Sequence, residues 1–563
     1  MNRAPVFPKI IQDWRSFQAL KLLAVKAMLV GVIAIILLPI LATLIAAVSG
    51  SLATGRGLAA SFLQDAVQST VFLAVFVGFG TALIGTLTAW LVTAYRFTGS
   101  QTLEIALAFP LAFPAYVVAY AYTVFLDHPG PVQTLLRNVT GWQGTDYWFP
   151  DIRSLGGATL MFVFVLYPYV YLLARAAFLR QSAGAFQAAR TLGASPVRAF
   201  LSVSAPMARP AVAAGVALVL METMADFGTV AHFGVQTFAT AIYQSWFSFG
   251  DRAAAAQLSL CLLLVVLALL ATERQQRSKI SRFSRGRHEV RMAQMPLKSW
   301  RAAFAFAICF APVLFGFILP VVLLLQLALT SDQSLLSPRY LGFIGNSLKL
   351  AAMAATLTIC VALFLGFAKR FMPSRLTRFG FDLAGVGYAV PGGVIAIGLL
   401  VPFAAFDNAL DAWLRLNFDV SSGLLFTGSA ILLVIAYLVR FLSPALGAFE
   451  TGMGTIKPNM DKAARTLGSN TSQIITRLHL PLLSTSLMTG ALIVFVDVMK
   501  ELPATLILRP FNYDTLAVQA YRLASDERLA DAAVPSLIIV AFGLLPVILL
   551  CRTLAKRNET KRN

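Results

Sequence analysis

Charged side chains are scarce in this chain of 563 residues: only 12% are Asp, Glu, Lys or Arg, while 58% are hydrophobic. Its mean hydropathy of +0.76 excludes an ordinary soluble domain. Four cysteines and four histidines are too few and too scattered to indicate a disulfide framework or a metal cluster. No Gly-Lys pair occurs, so the phosphate-binding loop of nucleotide hydrolases is absent. No acid–base or nucleophile constellation indicates an enzyme.

Apolar segments of about twenty residues fill most of the chain, and each is long enough to cross a bilayer as a helix. We therefore predict an all-α polytopic membrane protein with about twelve transmembrane helices. The predicted spans lie near residues 27–49, 69–95, 103–126, 157–180, 208–231, 254–272, 302–329, 346–368, 380–406, 424–447, 483–508 and 533–551.

Basic residues outnumber acidic ones by 45 to 25, and most lie in alternate loops on one side of the predicted bundle. The loop 273–301 alone carries nine basic and two acidic residues. Because positive loops stay inside the cell, we expect these loops and both termini to be cytoplasmic. The positive charge then serves topology and contact with anionic lipids, and it does not indicate nucleic-acid binding.

One segment occurs twice. Residues 187–206 read QAARTLGASPVRAFLSVSAP and residues 462–481 read KAARTLGSNTSQIITRLHLP, with six consecutive identical residues at an offset of 275. The Ala-Ala-Arg-Thr-Leu run favours a helix, and the glycine after it favours a helix stop. Ser195 or Asn470 can cap a second, short amphipathic helix, which we expect Pro206 or Pro481 to end. We call each unit an elbow. Its shape suits the groove of a partner protein.

The elbows divide the chain into two similar halves. We predict a first half at 1–272 with its elbow within 181–207, a basic linker at 273–301, and a second half at 302–563 with its elbow within 448–482. Each half has six predicted spans and places its elbow between the fourth and fifth. An even number of spans gives both halves the same orientation, which is a parallel repeat.

Four carboxylates fall inside predicted spans. Glu222 and Asp226 are four residues apart on one helical face, and Asp497 and Glu501 lie at the same offset of 275. Since a charge in hydrocarbon is costly, the matched set is a candidate translocation path whose oxygens could contact a hard cation. The alternative is structural: the carboxylates bond between helices or to freed backbone groups, with Lys500 neutralising one of them.

The two elbows resemble the EAA loop of ATP-binding cassette (ABC) importer permeases, in which Glu-Ala-Ala is followed by three residues, a glycine and a later proline. The residues at the motif positions are Gln187, Ala188, Ala189, Gly193 and Pro206 in the first elbow, and Lys462, Ala463, Ala464, Gly468 and Pro481 in the second. Both elbows lack the glutamate. Two permease domains in one chain are found in a few subfamilies, and residues 221–252 and 497–527 look most like ferric iron permeases.

The resemblance implies that separate proteins carry out translocation, ATP hydrolysis and delivery of the cargo. It implies two MetI-like permease repeats in a bacterial inner membrane, two copies of a cytoplasmic ATPase on the elbows, and a periplasmic iron-binding protein on the opposite side. ATP and Mg²⁺ would bind the ATPase, with no cofactor on this chain. Ferric iron would pass the carboxylates transiently without a static metal site. Thiamine, a polyamine or another small solute is the alternative cargo.

A secondary transporter with six plus six spans would share the parallel repeat and the basic central loop. It would have no use for two matched cytoplasmic elbows. The elbows therefore favour the ATP-driven importer.

Overall fold

The computed structural model describes residues 7–49, 52–144, 146–180, 183–283, 294–331, 333 and 337–559. In this part of the chain the regular secondary structure is helical, apart from one pair of two-residue parallel strands. This confirms the predicted all-α class. Residues 284–293, in the predicted basic linker, lie outside the described residues.

The described first half contains twelve α-helices, and the last of them runs into the basic linker. They are α1 (Phe7–Ser49), α2 (Leu52–Ala94), α3 (Ser100–Ala106), α4 (Ala115–Leu126), α5 (Pro131–Thr140), α6 (Leu155–Arg180), α7 (Ala183–Thr191), α8 (Pro196–Ala199), α9 (Ala205–Ala225), α10 (Gly228–His232), α11 (Phe238–Tyr243) and α12 (Arg252–Phe283). Strand β1 (Tyr95–Arg96) follows α2.

The described second half repeats this order. Strand β2 (Met295–Pro296) comes first and pairs with β1 across the two halves. The helices are α13 (Trp300–Val313), α14 (Leu319–Leu329), α15 (Pro338–Phe371), α16 (Arg375–Ala384), α17 (Gly392–Phe418), α18 (Ala430–Met453), α19 (Pro458–Thr466), α20 (Thr471–Gln473), α21 (Leu480–Met499), α22 (Pro503–Leu508), α23 (Leu516–Ser525) and α24 (Leu529–Glu559).

Eleven helical stretches among the described residues are long and apolar enough to cross a membrane, and a bent pair raises the number to twelve. This agrees with the predicted number. The bent pair shows that the predicted third span, 103–126, is wrong as one straight helix, because its two arms meet at 94°. The first arm ends in a short 3₁₀ turn at Phe109–Ala112, and Phe113 and Pro114 separate it from the second arm. Proline has no N–H group and forces the residue before it into an extended conformation.

The second half breaks at the equivalent place. The predicted span 380–406 is also wrong as one helix, since α16 is followed by a 3₁₀ turn at Gly387–Ala389 and then by extended residues up to Pro391. Helix α17 starts only after this proline. Both halves therefore bring an irregular segment into the bundle.

Two further predicted spans, 208–231 and 483–508, run past the ends of their helices. Helix α9 ends at Ala225 because Asp226 is extended, and α21 ends at Met499. A short helix follows each break. The sequence there is apolar enough to continue the helix, but the acidic side chains bond to the backbone ahead of them and start a new helix.

The predicted stops at the elbow prolines are also wrong. The helix after each elbow continues into the next span, over Pro196–Ala225 and Thr471–Met499. A π turn, Phe200–Ser204 or Ile474–His479, precedes each proline. Its wider hydrogen-bond spacing lets the helix continue past a residue that has no N–H to donate.

The repeat is visible in the packing. In the first half α6 packs between α2 and α9, and in the second α18 packs between α15 and α21. The halves also interlock, because α1 lies against α17 and α4 lies against α24. The irregular segments of both halves consequently meet inside the bundle.

Glycine allows α2 and α6 to approach closely. A side chain at Gly85 would place its Cβ 2.7 Å from Val170 Cβ and 3.0 Å from the Tyr167 carbonyl oxygen. We expect Gly85→Val to lower the free energy of unfolding by about 1–3 kcal/mol because this contact has no room for a methyl group. Thermal unfolding in detergent measures the effect. The control is Gly31→Val, where a Cβ would meet no atom within 4 Å beyond the backbone of its own helical turn and its chain neighbours, and equal shifts for the two variants would contradict the packing argument.

Candidate functional site

Both elbows have the same backbone turn. Gly193 and Gly468 have φ of +86° and +84°, a conformation that glycine adopts without the penalty of a Cβ. The residue after each glycine donates its N–H to the carbonyl of Ala189 or Ala464, both at 3.0 Å. This is the glycine cap that the sequence predicts for α7 and α19.

The predicted caps of the following helices also form. Ser195 accepts a hydrogen bond from Arg198 N at 3.2 Å, and Asn470 accepts one from Gln473 N at 2.9 Å. The Gln473 side chain bonds back to Asn470 N. Each elbow is thus held by a helix stop and a helix start three residues apart, which makes it a rigid turn.

The elbow surface is more apolar than a solvated turn needs. Leu192 and Leu467, at equivalent positions directly before the glycines, are 88% and 85% exposed. The motif residues beside them are exposed at Gln187, Ala188, Gly193, Lys462, Ala463, Gly468 and Pro481, and half-buried at Ala189, Pro206 and Ala464. The sequence predictions did not single out the two leucines, although both lie in the identical six-residue run. A small apolar knob therefore projects from each elbow.

Different cores support the two elbows. Beneath the first, the Trp90 ring packs against phenylalanine rings, with centroid distances of 5.3 Å to Phe178, 5.4 Å to Phe186 and 4.7 Å to Phe200. This cluster is apolar and joins α2, α6, α7 and the π turn.

Beneath the second elbow lies an ionic cluster. Asp461 in α19 is 2.7 Å from His479 Nε2 and 2.9 Å from Arg370 Nη2. Burial alone would raise the pKa of Asp461, but the hydrogen bonds from His479 and Arg370 and the charge of Arg370 hold it below its usual range. The carboxylate therefore stays ionised and ties α19 to α15 and to the start of the next span.

The four intramembrane carboxylates line a single cavity of about 100 Å³, which has room for several water molecules. The cavity lies where the irregular segments of the two halves meet. The first half contributes residues around Pro114 and the end of α9, and the second contributes Tyr388 and the residues between α21 and α22. Sites at the interface of repeats, built from broken helices, are typical of transporters.

Two of the carboxylates accept hydrogen bonds from backbone N–H groups in the first turns of short helices. Asp226 accepts a hydrogen bond from Thr229 N at 2.8 Å. Glu501, at the equivalent position, accepts bonds from Ala504 N at 2.8 Å and from Thr505 N at 3.0 Å. These bonds satisfy backbone groups that the helix breaks leave without partners.

Glu501 also has an ionic partner on another span. Arg440 Nη1 in α18 lies 3.4 Å from Glu501 Oε1, and Gly392 leaves the space that this pair occupies. Sequence reasoning missed Arg440 because it lies more than 60 positions from its partner and has no charged equivalent in the first half.

The other two carboxylates have different surroundings. Asp497 Oδ1 is 2.9 Å from Lys500 Nζ, and Glu222 lies beside the hydroxyl of Tyr388. Tyr169 neighbours the same group. Neither Asp497 nor Glu222 lies at a helix start. The charges of these two carboxylates therefore have no capping role.

The cavity wall also includes the hydroxyl group of Tyr116. Tyr116 is only 3% exposed, and its hydroxyl has no hydrogen-bond partner among the described residues. The spacing of Tyr116, Tyr169 and Tyr388 gave no signal, since tyrosines in apolar spans usually serve packing. Nowhere in the described ranges are three His, Cys, Asp or Glu side chains close enough to hold a metal ion. The chamber thus offers scattered oxygen atoms and no closed metal cage.

Comparison with known proteins finds one family in both halves. The model of the family described as "Binding-protein-dependent transport system inner membrane component" matches residues 82–281 and 358–561. Each matched segment contains one elbow and one pair of cavity carboxylates.

Several individual proteins are similar over much of the chain. A Fe(3+)-transport system permease protein of Haemophilus influenzae is 26% identical over 492 residues, covering 87% of this chain and 90% of its own. A ferric transport system permease protein of Actinobacillus pleuropneumoniae is 22% identical over 519 residues, covering 88% and 71%. A molybdenum transport system permease protein of Escherichia coli K12 is 28% identical over 189 residues, which are 32% of this chain and 79% of its own.

Proposed function

We propose that this chain forms the complete transmembrane path of an ATP-driven importer, because it belongs to the family of binding-protein-dependent transport system inner membrane components. The family match occurs twice, so one chain supplies both permease halves. The observation that carries the proposal is the pair of matched elbows on one face of the bundle, with the carboxylate cavity between the halves.

The elbows are the docking points for a separate ATPase. Two copies of a cytoplasmic ATPase would each receive one elbow, with Leu192 or Leu467 in an apolar pocket. By the rule that positive loops stay inside the cell, the elbow face would be cytoplasmic, together with both termini, and in contact with anionic lipids. ATP and Mg²⁺ would bind the ATPase, leaving this chain without catalysis or cofactor. A periplasmic binding protein would dock on the opposite face.

Ferric iron is the cargo that the cavity and the relatives favour together. The permeases named for ferric iron align over most of the chain. The cavity holds four carboxylates against two cationic side chains, so it favours a cation over an anion. Hard trivalent ions prefer oxygen ligands, which the carboxylates and tyrosines supply. A cationic organic solute such as thiamine or a polyamine is the alternative that these tyrosines would suit.

Transport requires the two halves to separate on one face at a time. On the face opposite the elbows, Arg153 forms a bidentate pair with Glu527 at 2.7 and 2.9 Å and also contacts Asp127 at 3.4 Å. The hydrogen bond from Arg153 holds the pKa of Glu527 below its usual range. This pair joins the first half to the second and would have to open when cargo enters. ATP binding could drive that change only by favouring one arrangement of the elbows.

Import of radiolabelled ferric iron into proteoliposomes tests the proposal. The vesicles contain this permease with its ATPase and take up iron from the loaded binding protein. We expect import to require ATP and to fall at least tenfold in the double variant Glu222→Gln, Asp497→Asn, which removes both acids that have no capping role. The control is Asp419→Asn, in an exposed turn whose left-handed conformation asparagine tolerates.

Two results would contradict the proposal. Import that continues without ATP would exclude an ATP-driven importer, and full import by the double variant would remove these acids from the path. Uptake of labelled thiamine or putrescine in place of iron would keep the importer and change its cargo.

A further inference from the structure

Lys500 is the cavity residue whose role the import path does not explain. Its ammonium group lies 2.9 Å from Asp497 and is close enough to Glu222 and Tyr169 to interact with them electrostatically. The equivalent position in the first half is Ala225. The repeat therefore has a cation in its second copy only, at the point where the two halves meet.

The four carboxylates of the cavity form two pairs that differ in their bonding partners. Asp226 and Glu501 are engaged by backbone N–H groups, and Glu501 also by Arg440. Glu222 and Asp497 hold no helix end. Lys500 pairs with Asp497 and interacts electrostatically with Glu222, so it supplies a positive charge at the place where a cationic cargo would find its strongest ligands.

The unpaired hydroxyl of Tyr116 provides a second, independent sign of a ligand position. It lines the same cavity, is almost fully buried and has no hydrogen-bond partner within the part of the chain that the structure describes. A buried hydroxyl without a hydrogen bond carries a desolvation penalty. A cation in the cavity would take the hydroxyl oxygen as a ligand, and a water molecule of a hydrated ion would accept a hydrogen bond from the hydroxyl group. Either contact would relieve this penalty.

We propose, building on the import function above, that Lys500 is a tethered counter-cation: it occupies the cation position beside Asp497 and Glu222 in the empty permease, and the cargo displaces it. The lysine side chain has a flexible four-carbon stem, so its ammonium group can swing away without moving the backbone. The acids are then never left unpaired in a low-dielectric cavity, which would be costly.

Lys500 sets a minimum charge that a cargo needs in order to displace it. At equal distance a trivalent ion attracts each carboxylate three times as strongly as an ammonium group does, so it can replace Lys500. A monovalent ion gains no charge advantage over the ammonium group already in place. When the cargo leaves, Lys500 returns to Asp497 and prevents rebinding. The lysine is thereby a specificity-determining residue that also favours release.

The test measures retention of a trivalent ion by the purified full-length permease. Wild type and variants in lipid nanodiscs are equilibrated with gallium citrate, desalted and analysed for bound gallium by mass spectrometry. We expect Lys500→Met, which removes the charge and keeps an unbranched apolar stem, to retain at least tenfold more gallium than wild type. Lys500→Arg, which keeps the charge, should stay near wild type, and the double variant Asp497→Asn, Lys500→Met should lose the gain.

Several outcomes would overturn the proposal. Equal gallium retention by wild type and Lys500→Met would do so, and so would a gain that survives Asp497→Asn. If Lys500→Met and Lys500→Gln both fail to assemble, Lys500 is a structural neutraliser of Asp497 and the tether is rejected. ATP-driven iron import by wild type is measured in parallel. If wild type imported no iron, the import function would be rejected. If wild type imported iron but Lys500→Met retained no more gallium than wild type, only the proposed role of Lys500 would be rejected.

Discussion

Replacing both elbow leucines with aspartate, Leu192→Asp and Leu467→Asp, should reduce ATP-driven import at least a hundredfold and leave the permease folded. Both side chains are more than four-fifths exposed in the isolated chain, so their loss removes almost no packing. Burying a leucine in a partner's pocket stabilises a complex by about 1.5–3 kcal/mol. Two such losses amount to roughly 3–6 kcal/mol, or a factor of 10² to 10⁴ in affinity.

The measurement is co-purification of the ATPase together with iron import. Each single variant should retain one docked elbow and lose less activity than the double. The matched control is Leu416→Asp, since Leu416 is 86% exposed at the end of α17, on the face opposite the elbows. If the double variant co-purified with the ATPase as wild type does, the elbows would not be the docking points.

Replacing Glu501 with alanine should destabilise the permease by about 3–5 kcal/mol. Removing one member of a buried ion pair leaves the other charge without compensation, here Arg440. The variant also leaves the N–H groups of Ala504 and Thr505 without their side-chain acceptor. We therefore expect a strongly lowered midpoint of thermal unfolding in detergent and poor accumulation in the membrane.

The equivalent first-half variant is the control. Asp226 accepts a hydrogen bond from Thr229 N, and no arginine of the described residues pairs with it, so Asp226→Ala should cost only about 1 kcal/mol, as loss of a helix cap does. The double variant Glu501→Gln, Arg440→Met should recover part of the stability, because it leaves no unpaired charge. Equal losses for Glu501→Ala and Asp226→Ala would show that the ion pair contributes nothing.

The cavity shows why symmetric sequence positions can have unequal roles. Asp226 and Glu501 are equivalent, and both start a short helix, yet only Glu501 meets an arginine from another span. Glu222 and Asp497 are also equivalent, yet only Asp497 has a lysine three residues ahead. The pseudo-symmetric path is therefore electrically asymmetric, with both cations contributed by the second half.

Local features were predictable from the sequence. Hydropathy gave the membrane class, because twenty apolar residues can hide their backbone polar groups in a bilayer only as a helix. The elbow turns followed from Gly193 and Gly468, since a helix stop at glycine depends on the residues of one turn. The offset of 275 residues by itself pairs the four carboxylates.

The tertiary structure alone decided what those residues meet. Helical periodicity places Glu222 and Asp226 on one face, but the hydrogen bond that makes Asp226 a cap depends on a break that the apolar sequence does not mark. The partnership of Arg440 with Glu501, and the meeting of both halves at Tyr388 and Tyr116, join residues far apart in the chain. Such contacts follow from how whole helices pack, and helix packing depends on every side chain along the interface. The sequence thus determined the kind of protein and its repeated parts, while packing assigned each buried charge its partner.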